Sequence, residues 1–186
     1  TGHLQAAAFA FAAFEFSLRG DRRGMLAFGL CAAATPAMEY PHALMILPLG
    51  LRFLLAEGRA AIPRRAVFAV LGGALPIAAT CFAQAKMFGA WHRTGYSSLE
   101  NRAYETLHGS GFFGIGTPDF GRVFAALFSP EVGLFFFTPA LIFGAIVWLW
   151  HPRRGPFQQA RATVLAMIAL ELLFLAGHGG WRGGWT

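Results

Sequence analysis

The sequence predicts an all-α fold: a polytopic transmembrane helical bundle of about six spans, with a long extracytoplasmic loop that contains short helices. Three observations lead there. Of 186 residues, 56% are hydrophobic and 13% are charged, and the mean hydropathy is +0.51, whereas a soluble domain carries charge at about a quarter of its positions. The apolar residues gather into runs close to the ~20 residues that a helical span needs. The segments between the runs alternate in charge, as membrane topology requires.

The runs cover 2–18, 24–38, 41–56, 66–89, 133–150 and 162–177. Three connections are short and rich in arginine: "LRGDRRG" (Arg19, Arg22, Arg23), "AEGRAAIPRR" (Arg59, Arg64, Arg65) and "HPRRGPFQQAR" (Arg153, Arg154, Arg161). The positive-inside rule puts all three on the cytoplasmic side. An alternating path then places the turn at 39–40, the loop 90–132 and the tail after 177 on the opposite face. The loop balances Arg93, Arg102 and Arg122 with Glu100, Glu105, Asp119 and Glu131. A single membrane domain over 1–186, an internal piece of a larger one, is the expected organisation, because the chain opens without a charged leader and stops on "GGWRGGWT".

The formal net charge is +6, but the basic residues form no stripe interleaved with aromatics, so no nucleic-acid partner is expected. Cys31 and Cys81 fall inside apolar runs and read as small hydrophobes rather than a disulfide, ligands or a nucleophile. The histidines are scattered, and Pro41 between Glu39 and His42 breaks the helix-face geometry a metal pair would use. No cofactor is identifiable from the residues alone.

Glu39 is the singular charge. It stands between Pro36 and Pro41, where two short apolar segments meet and the backbone must turn or unwind. A carboxylate there costs a few kcal/mol unless it faces water, a partner or a cavity, which makes it a functional candidate. Glu15, four residues before Arg19, reads as an ordinary helical ion pair. Glu171, in "IALELLFLAG", needs a partner on another helix, and Lys86 can snorkel to an interface. Within the loop, 97–108 has helical spacing with Ser97 or Ser98 as cap, and Phe112, Phe113, Phe120, Phe124 and Phe128 suit a segment lying on a membrane surface. Ser129 and Pro130 predict the start of the fifth span. In the tail, Trp181 and Arg182 suit either an interfacial anchor or a hold on phosphate and sugar.

Taken in order, "AAATPAMEYPHAL", "FGAWHRTGYSSLE", "GFFGIGTPDFGRVFAALFSPEVGLFFFTPAL" and "GGWRGGWT" resemble a family of polytopic bacterial membrane proteins grouped with the GT-C glycosyltransferases. These are related to the protein mannosyltransferases and the lipid A aminoarabinose transferases. Glu39, Tyr40 and Pro41 match the family's "EYP" element and Tyr96 its "GY". Ser129, Pro130, Gly133, Leu134 and Phe135 match the start of a helix, and Trp181, Gly183 and Gly184 match the last element. Met38, Glu131, Val132 and Thr138 depart from the pattern.

The resemblance implies transfer of a sugar from a polyprenyl-phosphate carrier to a glycan, lipid or protein acceptor at the outer face of the bacterial inner membrane. It implies a catalytic acid upstream of this sequence, so no catalytic residue is assigned, and it leaves room for a divalent metal. Glu39 would bind sugar or acceptor with Tyr40 as a stacking or hydroxyl partner, Tyr96 and Trp181 would contact the substrate, and Arg182 and Arg102 would hold the donor's phosphate end. A transporter or flippase of lipid-linked sugars and a non-catalytic membrane subunit are the competing readings.

Overall fold

A computed structural model describes residues 2–95, 115–150 and 160–178 of the chain. The chain forms two compact units, Thr1–Gly95 with Arg161–Glu171, and Tyr96–Ala160 with Leu172–Thr186. All the regular structure among the described residues is helical.

The first unit is built on α1 (Gly2–Ser17), α2 (Arg22–Met38), α3 (Ala43–Leu55) and α4 (Ile62–Phe88), with 3-10 turns at Tyr40–His42 and Arg59–Ala61. In α1 the buried positions Ala6, Ala10 and Ala13 recur at helical spacing, and this small-residue face packs on α2. The helix α2 ends because Glu39 turns extended, with φ −155° and ψ 107°, and Pro41 has no N–H with which to continue it. Between α3 and α4 the chain reverses at Gly58, whose φ of 83° suits glycine alone. Pro63 then opens α4 where a missing N–H costs nothing. Gly89, at φ 77°, closes it by donating to the Ala85 carbonyl at 3.1 Å.

The parallel pair α2 and α4 forms the tightest joint. A Cβ on Gly29 would overlap the Ala69 carbonyl, and one on Gly72 would overlap that of Leu26. Glycine therefore permits backbone-to-backbone approach here. Beside this joint Phe28 stacks on Phe53, ring centroids 3.9 Å apart, among buried Met25 and Leu49.

One end of the unit is basic. Arg65, 1% exposed, lays its guanidinium over the Phe53 ring and donates from Nε to the Phe53 carbonyl at 2.5 Å, which satisfies one of the last acceptors of α3. Glu57 pairs with both Arg64 and Arg65. Arg52 donates to the Ser17 hydroxyl at 3.4 Å, joining α3 to the end of α1. The loops 19–23 and 56–61, two of the three arginine-rich connections, thus meet at one end, and the turn at Glu39 lies at the other; Arg153 and Arg154 of the third lie outside the described residues. Arg19 stacks over Phe16 at 5.1 Å and forms no ion pair with Glu15 among the described residues, contrary to the expected pairing.

The second unit contains α5 (Phe120–Phe128), α6 (Leu134–Phe137) and α7 (Ala140–Trp150), and it includes the last turns of α8 (Arg161–Gly177). Asp119 caps α5 by accepting from the Gly121 N–H at 2.8 Å. Phe120, Phe124 and Phe128 form an exposed stripe at four-residue spacing. Segment 115–122 ties down the end of α8. Gly116 N donates to Gly177 O and Asp119 N to Ala176 O, each at 2.9 Å. Arg122 Nη1 donates to His178 O at 3.1 Å. A cation at carbonyls left over by a helix end is well placed for both hydrogen bonding and the helix dipole. Arg122→Ala is expected to loosen this clasp by about 1 kcal/mol. Amide exchange at Gly116 and Asp119 should speed up while that of α2 stays unchanged.

The expectation of about six spans is not met. Among the described residues one helical run, Arg59–Phe88 of 30 residues, is long and apolar enough to cross a membrane. The physical reason is interruption. The helices α1 and α2 have 16 and 17 residues, and α3 has 13, so at 1.5 Å per residue they fall short of a ~30 Å hydrocarbon layer. The expected fifth span is broken at Thr138 and Pro139 into α6 and the 11-residue α7. Nor does a helix begin at Ser129 and Pro130. Ser129 closes α5, its hydroxyl accepting from Val132 N at 3.2 Å, and Gly133 precedes the next turn. The expected helix over 97–108, with Phe112 and Phe113, lies outside the described residues.

Candidate functional site at the turn between α2 and α3

The turn that ends α2 brings Glu39, Tyr40 and His42 together within four residues, and the chain folds two distant helices onto them. The start of α1 lies against the carboxylate: a Cβ on Gly2 would come 2.9 Å from Glu39 Oε2 and 3.2 Å from the Met38 carbonyl. His3 Nδ1 is 3.8 Å from Glu39 Oε1. That approach is too long for a hydrogen bond. With the His3 side chain 78% exposed and the Glu39 side chain 20% exposed, it anchors the carboxylate weakly. From the other side, Gln84 of α4 donates to the Tyr40 hydroxyl at 2.5 Å and fixes the phenol ring against that helix.

His42 completes the cluster, with its ring 6.0 Å from that of His3. Its Nδ1 is buried and meets no hydrogen-bond partner among the described residues. Burial holds the His42 pKa below its usual value, His3 lowers it further, and Glu39 opposes both. The imidazole is therefore neutral at neutral pH.

The pH consequence follows from that direction. Above the usual value of 6.5 folded and unfolded chains both hold His42 neutral, and the group contributes no difference. Below it the unfolded chain binds the proton first, so stability falls as pH drops toward the folded pKa. His42→Gln is expected to remove this acid-side slope from the thermal midpoint of the first unit. Titration of the His42 ring proton by NMR should show a midpoint below the ordinary histidine value of 6.5.

Chemically, the cluster offers a carboxylate to accept hydrogen bonds from hydroxyls, an aromatic ring held through its hydroxyl by an amide, and a neutral imidazole with an unmet nitrogen. Among the described residues no group of three His, Cys, Asp or Glu is arranged to hold a metal ion. Of the residues the sequence singled out, Glu39 and Tyr40 stand side by side here. Tyr96, Arg102, Trp181 and Arg182 lie outside the described residues. Sequence reasoning missed His3 and Gln84 as members of the site. For Gln84 a signal existed, since it is an isolated amide within the apolar run 66–89.

Two further buried acceptors and donors stand apart from this cluster. Glu171 Oε1 in α8 and Arg65 Nη2 in α4 find no hydrogen-bond partner among the described residues. Lys86 reaches over the Phe82 ring at 5.6 Å, four residues back along α4. No protein-family description, curated protein or solved structure matches the chain significantly.

Proposed function

We propose that the chain is part of an integral membrane glycosyltransferase that moves a sugar from a polyprenyl-phosphate carrier to an acceptor on the extracytoplasmic side. In this reading α4 spans the membrane, and the turn at Glu39 lines the place where the sugar is held. The observation that carries the reading is the Glu39 carboxylate. It sits at an extended break between helices, mostly covered, with Tyr40 held beside it by Gln84 and a neutral imidazole at His42.

A carboxylate in that position accepts hydrogen bonds from sugar hydroxyls, and an aromatic ring packs on the sugar face. It would repel the carrier phosphate, so it is assigned to the sugar or acceptor side. Membrane attachment is supported by the exposure of Val70, Leu71, Leu75, Phe82 and Met87 along α4, side chains that would otherwise lie in water.

The test is a transfer assay on the full-length protein in native membranes with radiolabelled polyprenyl-phosphate sugars. Wild type is expected to pass label to an acceptor. Glu39→Gln should cut transfer by roughly ten-fold or more, the loss of about one charge-assisted hydrogen bond. Label that crosses the membrane still attached to its lipid would make the protein a flippase instead.

A further inference from the structure

At the basic end of the first unit Arg22, Arg23 and Arg59 are exposed and form no ion pair among the described residues. Arg22 and Arg23 occupy the first turn of α2, and Arg64 and Arg65 the first turn of α4, with no acidic residue in either turn. Both helices start from this end, so their positive dipole ends lie together. A cation in a first turn is the wrong sign for that dipole. Neither start is relieved by a side-chain cap: Asp21 and Ala61 make no capping bond. Glu57 is engaged by Arg64 and Arg65. Arg19, close to Arg22 and Arg23, is exposed as well. The N–H groups at the uncapped start of α2, two helix dipole ends and the guanidinium groups of Arg22, Arg23 and Arg59, with Arg19 stacked on Phe16 beside them, therefore converge on one surface. Directly from that surface runs the long apolar helix α4, only 6% of whose most apolar window is buried.

We infer that this end is a docking surface for anionic phospholipid headgroups, with Arg19, Arg22, Arg23 and Arg59 contacting phosphates of the leaflet that α4 enters. The inference rests on the membrane reading of α4, since it is that helix which brings the surface to headgroup depth. Charge complementarity identifies the occupant: guanidinium forks and helix N–H groups both match phosphate oxygens. Each arginine near an anionic surface adds roughly a five-fold preference at low salt, and salt screens it.

The experiment uses the full-length protein reconstituted into phosphatidylcholine vesicles, with and without phosphatidylglycerol. Flotation through a density gradient is followed by electron spin resonance with spin-labelled phosphatidylglycerol and phosphatidylcholine. The expected result is flotation with the vesicles and a several-fold preference of the protein for the anionic label, lost in high salt. Arg22→Gln/Arg23→Gln should reduce the preference at unchanged helix content, and adding Arg59→Gln should reduce it further. Failure to float would overturn the membrane reading and this inference together. Flotation with no preference, or a preference that survives the arginine substitutions, would overturn this inference alone.

Discussion

Gly72→Leu is expected to separate α2 from α4 and collapse the first unit. The reason is what a side chain at this position would meet. Its Cβ would overlap the Leu26 carbonyl, and the reciprocal position Gly29 faces the Ala69 carbonyl in the same way. Overpacking among side chains costs about 1–3 kcal/mol because rotamers can give way. A backbone carbonyl inside a helix cannot, so the cost here lies at or above the top of that range. Gly50, in α3, supplies the control, because nothing lies within 4 Å of a Cβ built there. Gly50→Ala should stabilise by about 0.5–1 kcal/mol through helix propensity. Thermal unfolding followed by circular dichroism separates the two. A Gly72→Leu protein with the wild-type midpoint would show that α2 and α4 do not touch as described.

Arg65→Ala should be the most damaging of the arginine substitutions, at about 3 kcal/mol. Three losses coincide. The cation over the Phe53 ring disappears, the Phe53 carbonyl loses its donor, and the largest fully buried side chain of the unit leaves a void. Glu57 does not add to the cost, because Arg64 remains beside it. Arg64→Ala, its neighbour in sequence, removes a half-exposed pair and should cost under about 1 kcal/mol. Equal effects from the two substitutions would contradict the capping role given to Arg65.

The contrast between these neighbours shows what the sequence could and could not disclose. The charge pattern groups three arginine-rich loops on one side; the first unit brings together the two that carry Arg19, Arg22, Arg23, Arg59, Arg64 and Arg65, and Arg153 and Arg154 of the third lie outside the described residues. The pattern could not say which guanidinium turns inward, since that depends on Phe53 and Glu57 from another helix. The apolar runs located the helices to within a few residues, because a run long enough for a span is also long enough for a helix. They overstated the spans because apolar composition does not measure uninterrupted length. Thr138 and Pro139 split one run, and the ends of α1, α2 and α3 leave each short of the bilayer.

At the site, Glu39 was legible from its two prolines, since a charge beside a broken helix is a local fact. His3 and Gln84 were not, because their place beside Glu39 and Tyr40 comes from how α1 and α4 pack, 36 and 44 residues away along the chain. His42 is visible in the sequence near Glu39, but the spacing there bears only on metal ligation. Its neutral state follows from burial, which sequence does not show.

The measurement that bears most directly on the account is photo-crosslinking of the full-length protein with a polyprenyl-phosphate sugar that carries a photoreactive group on the sugar, mapped by mass spectrometry. The account predicts adducts within residues 38–43 and around Gln84, with competition by the unmodified donor. Adducts confined to other segments, or none that the donor competes away, would contradict the assignment of the turn at Glu39 as the sugar-binding site.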